Sequence, residues 1–289
     1  MDRYRAEPGH LMTDTLKAEP GPRTRTGLTP RQRRNFGVGG QYVALVAVVV
    51  IAIAVVDWSR IQDNFFNPDM LGKVWPELFT IGLVNTVIYT VSGYALGFFL
   101  GLLIAVMRLS SLRLNRLLAH GYIEIFRGVP ALLVFLILAF GLPIAMPDRE
   151  LPFPPYGTVA LALGLVSAAY MAETFRAGIQ AVPKGQIEAA RSLGMSAPRA
   201  MVTIVLPQAI RIVIPPLTNE LILLFKDSSL VFAIGITAGT ADLSKIGNDL
   251  ATEHSNSTPF VLAGLTYLLI TVPLGYVVRR LEARQAKAR

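Results

Sequence analysis

Six stretches of this chain are apolar and long enough to cross a lipid bilayer, and no other feature narrows its possible folds as much. They are residues 38–56, 78–107, 117–142, 156–182, 201–225 and 259–278. The hydrocarbon core of a bilayer is about 30 Å thick and takes about 20 helical residues. Inside it every backbone N–H and C=O must be bonded within the chain, so such stretches fold as helices. The predicted class is therefore an all-α membrane protein with six transmembrane helices. The apolar run 230–238 is too short to span and reads as a re-entrant or interfacial helix. Residues 1–36, rich in Lys, Arg and Pro, cannot bury enough surface to offset their ordering entropy and are expected to be a disordered basic tail. Residues 281–289 read as a second, shorter basic tail.

Composition agrees with this class and removes several functions. Only 16% of residues are charged and 53% are hydrophobic, with a mean hydropathy of +0.50; soluble domains carry about 25% charged residues. The chain has no Cys, which excludes disulfides, thiolate-bound zinc and a thiol nucleophile. His10, His120 and His254 are far apart and show no metal-ligand spacing. The net charge of +8 sits in loops and tails between apolar runs, which points to topology and away from nucleic acid. With the N-terminus inside, the cytoplasmic segments hold the basic N-terminal tail, Arg108, Arg113, Arg116, Arg176, Lys184, Arg191, Arg199, Arg279, Arg280, Arg284, Lys287 and Arg289. The outer segments hold fewer basic residues, Arg60, Lys73, Arg149, Lys226 and Lys245, and these are matched by acids. This is the positive-inside pattern, with both termini cytoplasmic. It leaves Arg127 and Arg211 within spans.

Several spans carry internal signals. Residues 78–107 hold Asn85, Thr86, Tyr89 and Ser92, and a glycine at every fourth position, Gly93, Gly97 and Gly101, which permits close helix packing. Arg127-Gly128-Val129-Pro130 predicts a kink in the third span. Between the fourth and fifth spans lies a polar, helix-forming insert, residues 183–207. Ile187, Ala190, Leu193 and Ala197 recur there at helical spacing, so a short amphipathic helix is expected. Gly194 is placed to end it in a left-handed cap. Ser196 is placed to cap the next helix, with Pro198 in its first turn. Two short helices meeting at a glycine would form a compact knob suited to a groove on a partner.

Within this insert, Glu188-Ala189-Ala190, three residues, Gly194, nine residues and Ile204-Val205-Leu206-Pro207 resemble the cytoplasmic coupling loop of ABC-importer permeases. Arg127-Gly128-Val129-Pro130, Ala172-Glu173 before Arg176-Ala177-Gly178-Ile179, and Val182-Pro183-Lys184-Gly185-Gln186 are similar to the polar amino-acid branch (His, Glu, Gln, Arg and opine). So are Leu206-Pro207-Gln208-Ala209, Pro215-Pro216-Leu217-Thr218-Asn219-Glu220 and Lys226-Asp227-Ser228-Ser229-Leu230. The resemblance covers residues 79–280. It implies a five-helix type I importer core, residues 76–280, preceded by an added N-terminal helix, residues 37–58. It also implies a second permease subunit, a pair of ABC ATPases, an extracytoplasmic solute-binding protein and a polar amino-acid substrate, in a bacterial cytoplasmic membrane. The chain has no G-x-x-x-x-G-K-[ST] phosphate loop, so ATP and Mg are expected on the partner ATPase and no cofactor on this chain. In the implied mechanism ATP binding closes the ATPase pair, moves the knob as a lever and switches the spans between inward- and outward-facing packings.

Candidate site residues fall in two groups. Glu188, Ala189, Ala190, Gly194, Leu206 and Pro207 are assigned to ATPase coupling, Glu188 as the partner of a basic residue. Arg127, Tyr170, Glu173, Asn219, Glu220 and Ser228 are candidates for the substrate pathway, because ionisable groups inside a membrane are costly unless they have a task or a partner. Arg127 suits a substrate carboxylate, and Glu173 or Glu220 an ammonium. Against this stand an ordinary i, i+3 pair of Glu173 with Arg176, and backbone repair beside helix breaks for Asn219 and Ser228. A competing function is an ion- or proton-coupled secondary carrier working without an ATPase. It would call for inverted internal repeats, and none is evident.

Overall fold

A computed structural model describes residues 30–148 and 151–287, with side chains described for residues 38–148 and 151–285. The chain divides into two compact units, residues 1–57 and 58–289. The first unit contains α1 (Pro30–Val55). Proline suits a first helical turn, and Arg31, Gln32, Arg33 and Arg34 are good helix formers. The helix therefore takes in residues 30–36, which the sequence reading assigned to a disordered tail. The rest of that expectation, residues 1–29, lies outside the described residues.

The second unit opens with α2 (Trp58–Phe65) and α3 (Pro68–Glu77), which runs through a π-helical turn (Leu78–Leu83) into α4 (Val84–Leu109). After α5 (Arg113–Gly128) come α6 (Ala131–Leu136), a π turn (Ile137–Gly141) and α7 (Leu142–Ala145). Then follow α8 (Tyr156–Gln180), α9 (Lys184–Ser192) and α10 (Ala197–Ala200), which continues through a π turn (Met201–Val205) into α11 (Leu206–Asp227). A 3₁₀ segment (Ser228–Ile234), a 3₁₀ turn (Ala238–Thr240), α12 (Leu243–Glu253) and α13 (Thr258–Lys287) complete it. No strand occurs among the described residues. Five helical stretches (38–55, 58–109, 156–180, 197–234 and 258–285) are long and apolar enough to cross a membrane. A sixth, α5 with α6 and α7, is bent by 103°. The bend is sharper than a proline kink because Val129 and Pro130 are both extended, at ψ 131° and 132°. Steric pressure from the Pro130 ring keeps Val129 out of the helical region. At the other end α13 reaches Lys287, so residues 281–287 continue a helix and are not a separate tail; Ala288 and Arg289 lie outside the described residues.

The glycine row of α4 packs on α8. A Cβ at Gly93 would stand 2.5 Å from Leu163 Cβ, and one at Gly101 would stand 2.9 Å from the Ala168 carbonyl. The contact is mutual, since a Cβ at Gly164 would meet Leu96 at 2.7 Å. Lipid removes the hydrophobic drive for helix association, so close backbone packing of this kind must hold the pair. Around it, one buried cluster gathers Tyr89, Phe135, Leu163, Leu224 and Leu243, and a second gathers Ile104, Met171, Phe175, Val213 and Leu217.

The polar residues of α4 serve the irregular backbone that precedes α12. Asn85 Nδ2 donates to the carbonyls of Gly239 (3.1 Å) and Ala241 (3.0 Å), while its Oδ1 accepts from the Tyr156 hydroxyl (2.7 Å). Tyr89 donates to the Thr240 carbonyl at 2.6 Å, and Leu243 N–H donates to Thr86 Oγ1 at 3.1 Å. Non-helical backbone within a membrane protein survives where protein groups replace the lost ladder bonds. The re-entrant or interfacial helix expected over 230–238 is a 3₁₀ segment, Ser228–Ile234, closed by Gly235 at φ 72°. The following α12, which the sequence reading did not anticipate, is capped by Asp242, whose carboxylate accepts from Ser244 and Lys245 N–H.

Candidate functional site

The break at Val129–Pro130 leaves Arg127 at the end of α5 and turns unwound backbone into the wall of a cavity of about 390 Å³. Its polar lining is Arg127, Ser167, Tyr170, Glu220 and Asp227, set among Phe135, Leu163 and Leu224. The Arg127 guanidinium carbon lies 5.4 Å from the centre of the Tyr170 ring, within cation–π reach. Glu220 and Asp227 are two turns apart on one face of α11, so the cavity joins two carboxyl groups to one guanidinium. Three of the pathway candidates, Arg127, Tyr170 and Glu220, thus come together. Asp227 and Ser167 were missed; the i, i+7 spacing from Glu220 was the available signal for Asp227.

The other three candidates do not line this cavity. Glu173 is held by Arg176, whose Nε donates to it at 3.1 Å and whose Nη2 donates as well. The same guanidinium donates to Gln180 at 2.7 Å, so the ordinary i, i+3 pair describes Glu173. Asn219 is exposed, because one residue is a 100° step around α11 from Glu220. Ser228 is fully buried and donates to the Phe225 carbonyl at 2.8 Å, which repairs backbone where α11 ends.

The 183–207 insert is built around the end of α9. Gly194 has φ 86°; its N–H donates to the Arg191 carbonyl at 3.0 Å, and Met195 N–H donates to the Ala190 carbonyl at 3.1 Å. These paired bonds are a Schellman cap. Ala190 is buried and Ile187 packs, as Ile212 does, against the cluster of Val182, Val205 and Ala209, whereas Glu188, Ala189, Leu206 and Pro207 are exposed. Leu193, expected on the inward stripe, is 86% exposed because the cap turns the chain there. Ser196 occupies the N-cap position of α10 without a side-chain bond. The second arm of the expected knob is no separate short helix, since α10 flows into α11. Gln208 ties the two arms, donating to Gln186 Oε1 and to the Ile204 carbonyl.

A family model described as "Binding-protein-dependent transport system inner membrane component" matches residues 97–287. That range takes in the cavity residues and the whole α9 insert. The chain belongs to this family. Among relatives of this binding-protein-dependent permease is the probable glutamine ABC transporter permease protein GlnM of Bacillus subtilis. It is 38% identical over 212 residues, which are 73% of this chain and 95% of the relative. The arginine transport system permease protein ArgU of Corynebacterium glutamicum is 35% identical, over 80% of this chain and 76% of its own length. The glutamate/aspartate import permease protein GltK of Escherichia coli is 33% identical, over 80% and 98%. Among solved structures, a chain of an amino acid ABC transporter superposes with a TM-score of 0.67 at 34% identity, covering 74% of this permease and 96% of that chain. A chain of the inward-facing MetNI methionine ABC transporter shares the fold, with a TM-score of 0.54 at 20% identity over 74% of this permease and 95% of that chain. The architecture is thus the all-α fold of an ABC-importer permease.

Proposed function

We propose that this permease carries a polar amino acid inward across the bacterial cytoplasmic membrane, driven by a separate pair of ABC ATPases. The observation that carries the reading is the convergence of Arg127, Glu220 and Asp227 on one cavity beside Tyr170. Its volume falls within the about 300–1,000 Å³ typical of small-molecule sites. The relatives above are named for glutamine, arginine and glutamate/aspartate, whose shared charged groups are the α-amino and α-carboxylate. In this reading Arg127 takes the carboxylate and the Glu220–Asp227 pair takes the ammonium, while the apolar wall meets the side chain. Glu188, Ala189 and Gly194 face the ATPase, and buried Ala190 holds α9 to the body of the permease. Leu206 and Pro207 present the start of α11 on the same side.

ATP and Mg belong to the partner ATPase in this scheme, and this chain needs no cofactor of its own. A second permease subunit completes the pathway, and a solute-binding protein delivers substrate outside. Both termini are cytoplasmic, as the basic residues at the end of α13 favour. The test is purification of the tagged chain from its native membrane in mild detergent, followed by amino-acid titration of whatever binding protein accompanies it. Recovery of an ATPase whose turnover rises with an amino acid-loaded binding protein is the expected result. A chain that transports in vesicles without any ATPase would overturn the reading in favour of an ion-coupled carrier.

A further inference from the structure

The cytoplasmic ends of α11 and α13 enclose a cleft of about 240 Å³ lined by Arg211, Ile214, Leu281, Arg284 and Gln285. Its lining joins the apolar Ile214 and Leu281 to two arginines. Among the described residues neither Arg211 nor Arg284 forms a salt bridge, whereas Arg176 pairs with Glu173 and Lys245 with Asp249.

The depth of the cleft follows from α13. Gln285 lies seven residues beyond Val278, the end of the apolar stretch, which is about 10 Å along a helix. The headgroup layer on each side of the hydrocarbon is about 5–8 Å thick. Gln285 Nε2 donates to the Arg211 carbonyl, and that carbonyl is free because Pro215, four residues on, has no N–H to offer it. Arg211 therefore shares the level of Gln285. Arg211 falls within the candidate span of residues 197–234, as expected from sequence, and its bond to Gln285 places it near the outer edge of the headgroup layer, from which a long arginine side chain reaches back to the phosphates. Ile214 is about one turn along α11 from Arg211, and Ile210 and Val277, each four residues before a lining residue on the same helix, are exposed apolar residues.

We infer that this cleft binds an anionic phospholipid, with its phosphate held by Arg211 and Arg284 and the start of an acyl chain lying on Ile214 and Leu281. Two arginines without acids answer an anionic headgroup, and the apolar lining answers the chain attached to it. The site rests on the proposed orientation only for which leaflet supplies the lipid. Binding in detergent reads the same in either case, so failure here and failure of the transport reading are separable.

The experiment is native mass spectrometry of the solubilised full-length chain with its co-purifying subunits, titrated with phosphatidylglycerol or with phosphatidylcholine. Phosphatidylglycerol retention should fall roughly fivefold in Arg284→Gln and about twenty- to thirtyfold in Arg211→Gln/Arg284→Gln, at about fivefold per basic residue. Phosphatidylcholine retention should not change, and Arg211→Lys/Arg284→Lys should keep most of the phosphatidylglycerol. Arg284 is exposed near a helix end, so its single substitution remains readable if the double one fails to fold. Equal retention by wild type and Arg284→Gln overturns the assignment, and so does a parallel loss of both lipids. Displacement of phosphatidylglycerol by inorganic phosphate alone would make the ligand a free anion. Loss of the ATPase with lipid retention intact would make this face a protein contact. Either result sinks the lipid site.

Discussion

Gly97 on α4 and Ser167 on α8 approach so closely that a Cβ carbon at Gly97 would stand 2.0 Å from the Ser167 hydroxyl oxygen. The next nearest atoms are Ser167 Cβ at 3.2 Å and Ala168 N at 3.4 Å. The clash is thus with one oxygen, and most of it can be removed. Gly97→Ala should destabilise the assembled transporter by about 1–3 kcal/mol, the usual cost of overpacking. Gly97→Ala/Ser167→Ala should recover most of that loss. Thermal unfolding of the three proteins checks it, and a double variant as unstable as the single would show that the helices are held apart by something else.

Asn85 joins α4, α8 and the backbone before α12, through bonds to Tyr156 and to the carbonyls of Gly239 and Ala241. Asn85→Ala strands these buried groups, at about 1–3 kcal/mol for each one left unsatisfied. Asn85→Asp should be worse: its carboxylate can still accept from Tyr156, but it faces two carbonyls with no hydrogen to give. The order wild type, Ala, Asp in melting temperature is the expected outcome, and Asp melting above Ala would contradict this bonding scheme.

These two relationships differ in how far the sequence foretold them. The glycine row was legible because a four-residue period on an apolar helix has few other uses, and the break at Val129–Pro130 because proline restricts the residue before it. Gly194 was legible as a cap because a left-handed residue there closes α9. The task of Asn85 was not, since its partners lie more than 70 residues away in sequence and one of them follows an irregular turn. Helices α2, α3 and α12 escaped notice because short amphipathic segments leave no continuous apolar run. Glu173 was misplaced for a related reason. Its spacing to Arg176 described a pair, and only the rotation of α8 decides that the pair stays out of the cavity.

Arg127 lines the cavity and Glu173 does not, which gives a discriminating transport experiment. Arg127→Gln removes the proposed carboxylate partner and should raise the KM for the transported amino acid by about tenfold or more, in line with about 1.5–3 kcal/mol for a hydrogen bond to a charged group. Glu173→Gln weakens the pair with Arg176 and removes a charge that also acts on Arg108 and Arg127, so its KM should change less than in Arg127→Gln, by about fivefold or less for a pair worth about 0–1 kcal/mol. Uptake measured against amino-acid concentration checks both. An unchanged KM in Arg127→Gln would remove the cavity from the pathway.

Gly194 allows fold and coupling to be told apart in one residue. A Cβ added there meets nothing within 4 Å, so this chain offers no steric objection to a side chain. The objection is conformational, since φ 86° in an L-residue costs about 1–2 kcal/mol. Gly194→Ala bears that strain while adding only a methyl group, and Gly194→Trp bears similar strain while projecting an indole outward from the α9 face. If the outward space is filled by an ATPase, both variants should melt at similar temperatures, yet Gly194→Trp alone should lose the co-purifying ATPase. Gly194→Ala should retain at least half of it. Equal ATPase recovery from both variants would place the docking surface elsewhere, and equal loss from both would mean that the Schellman cap itself, and not the space beyond it, is what the partner requires.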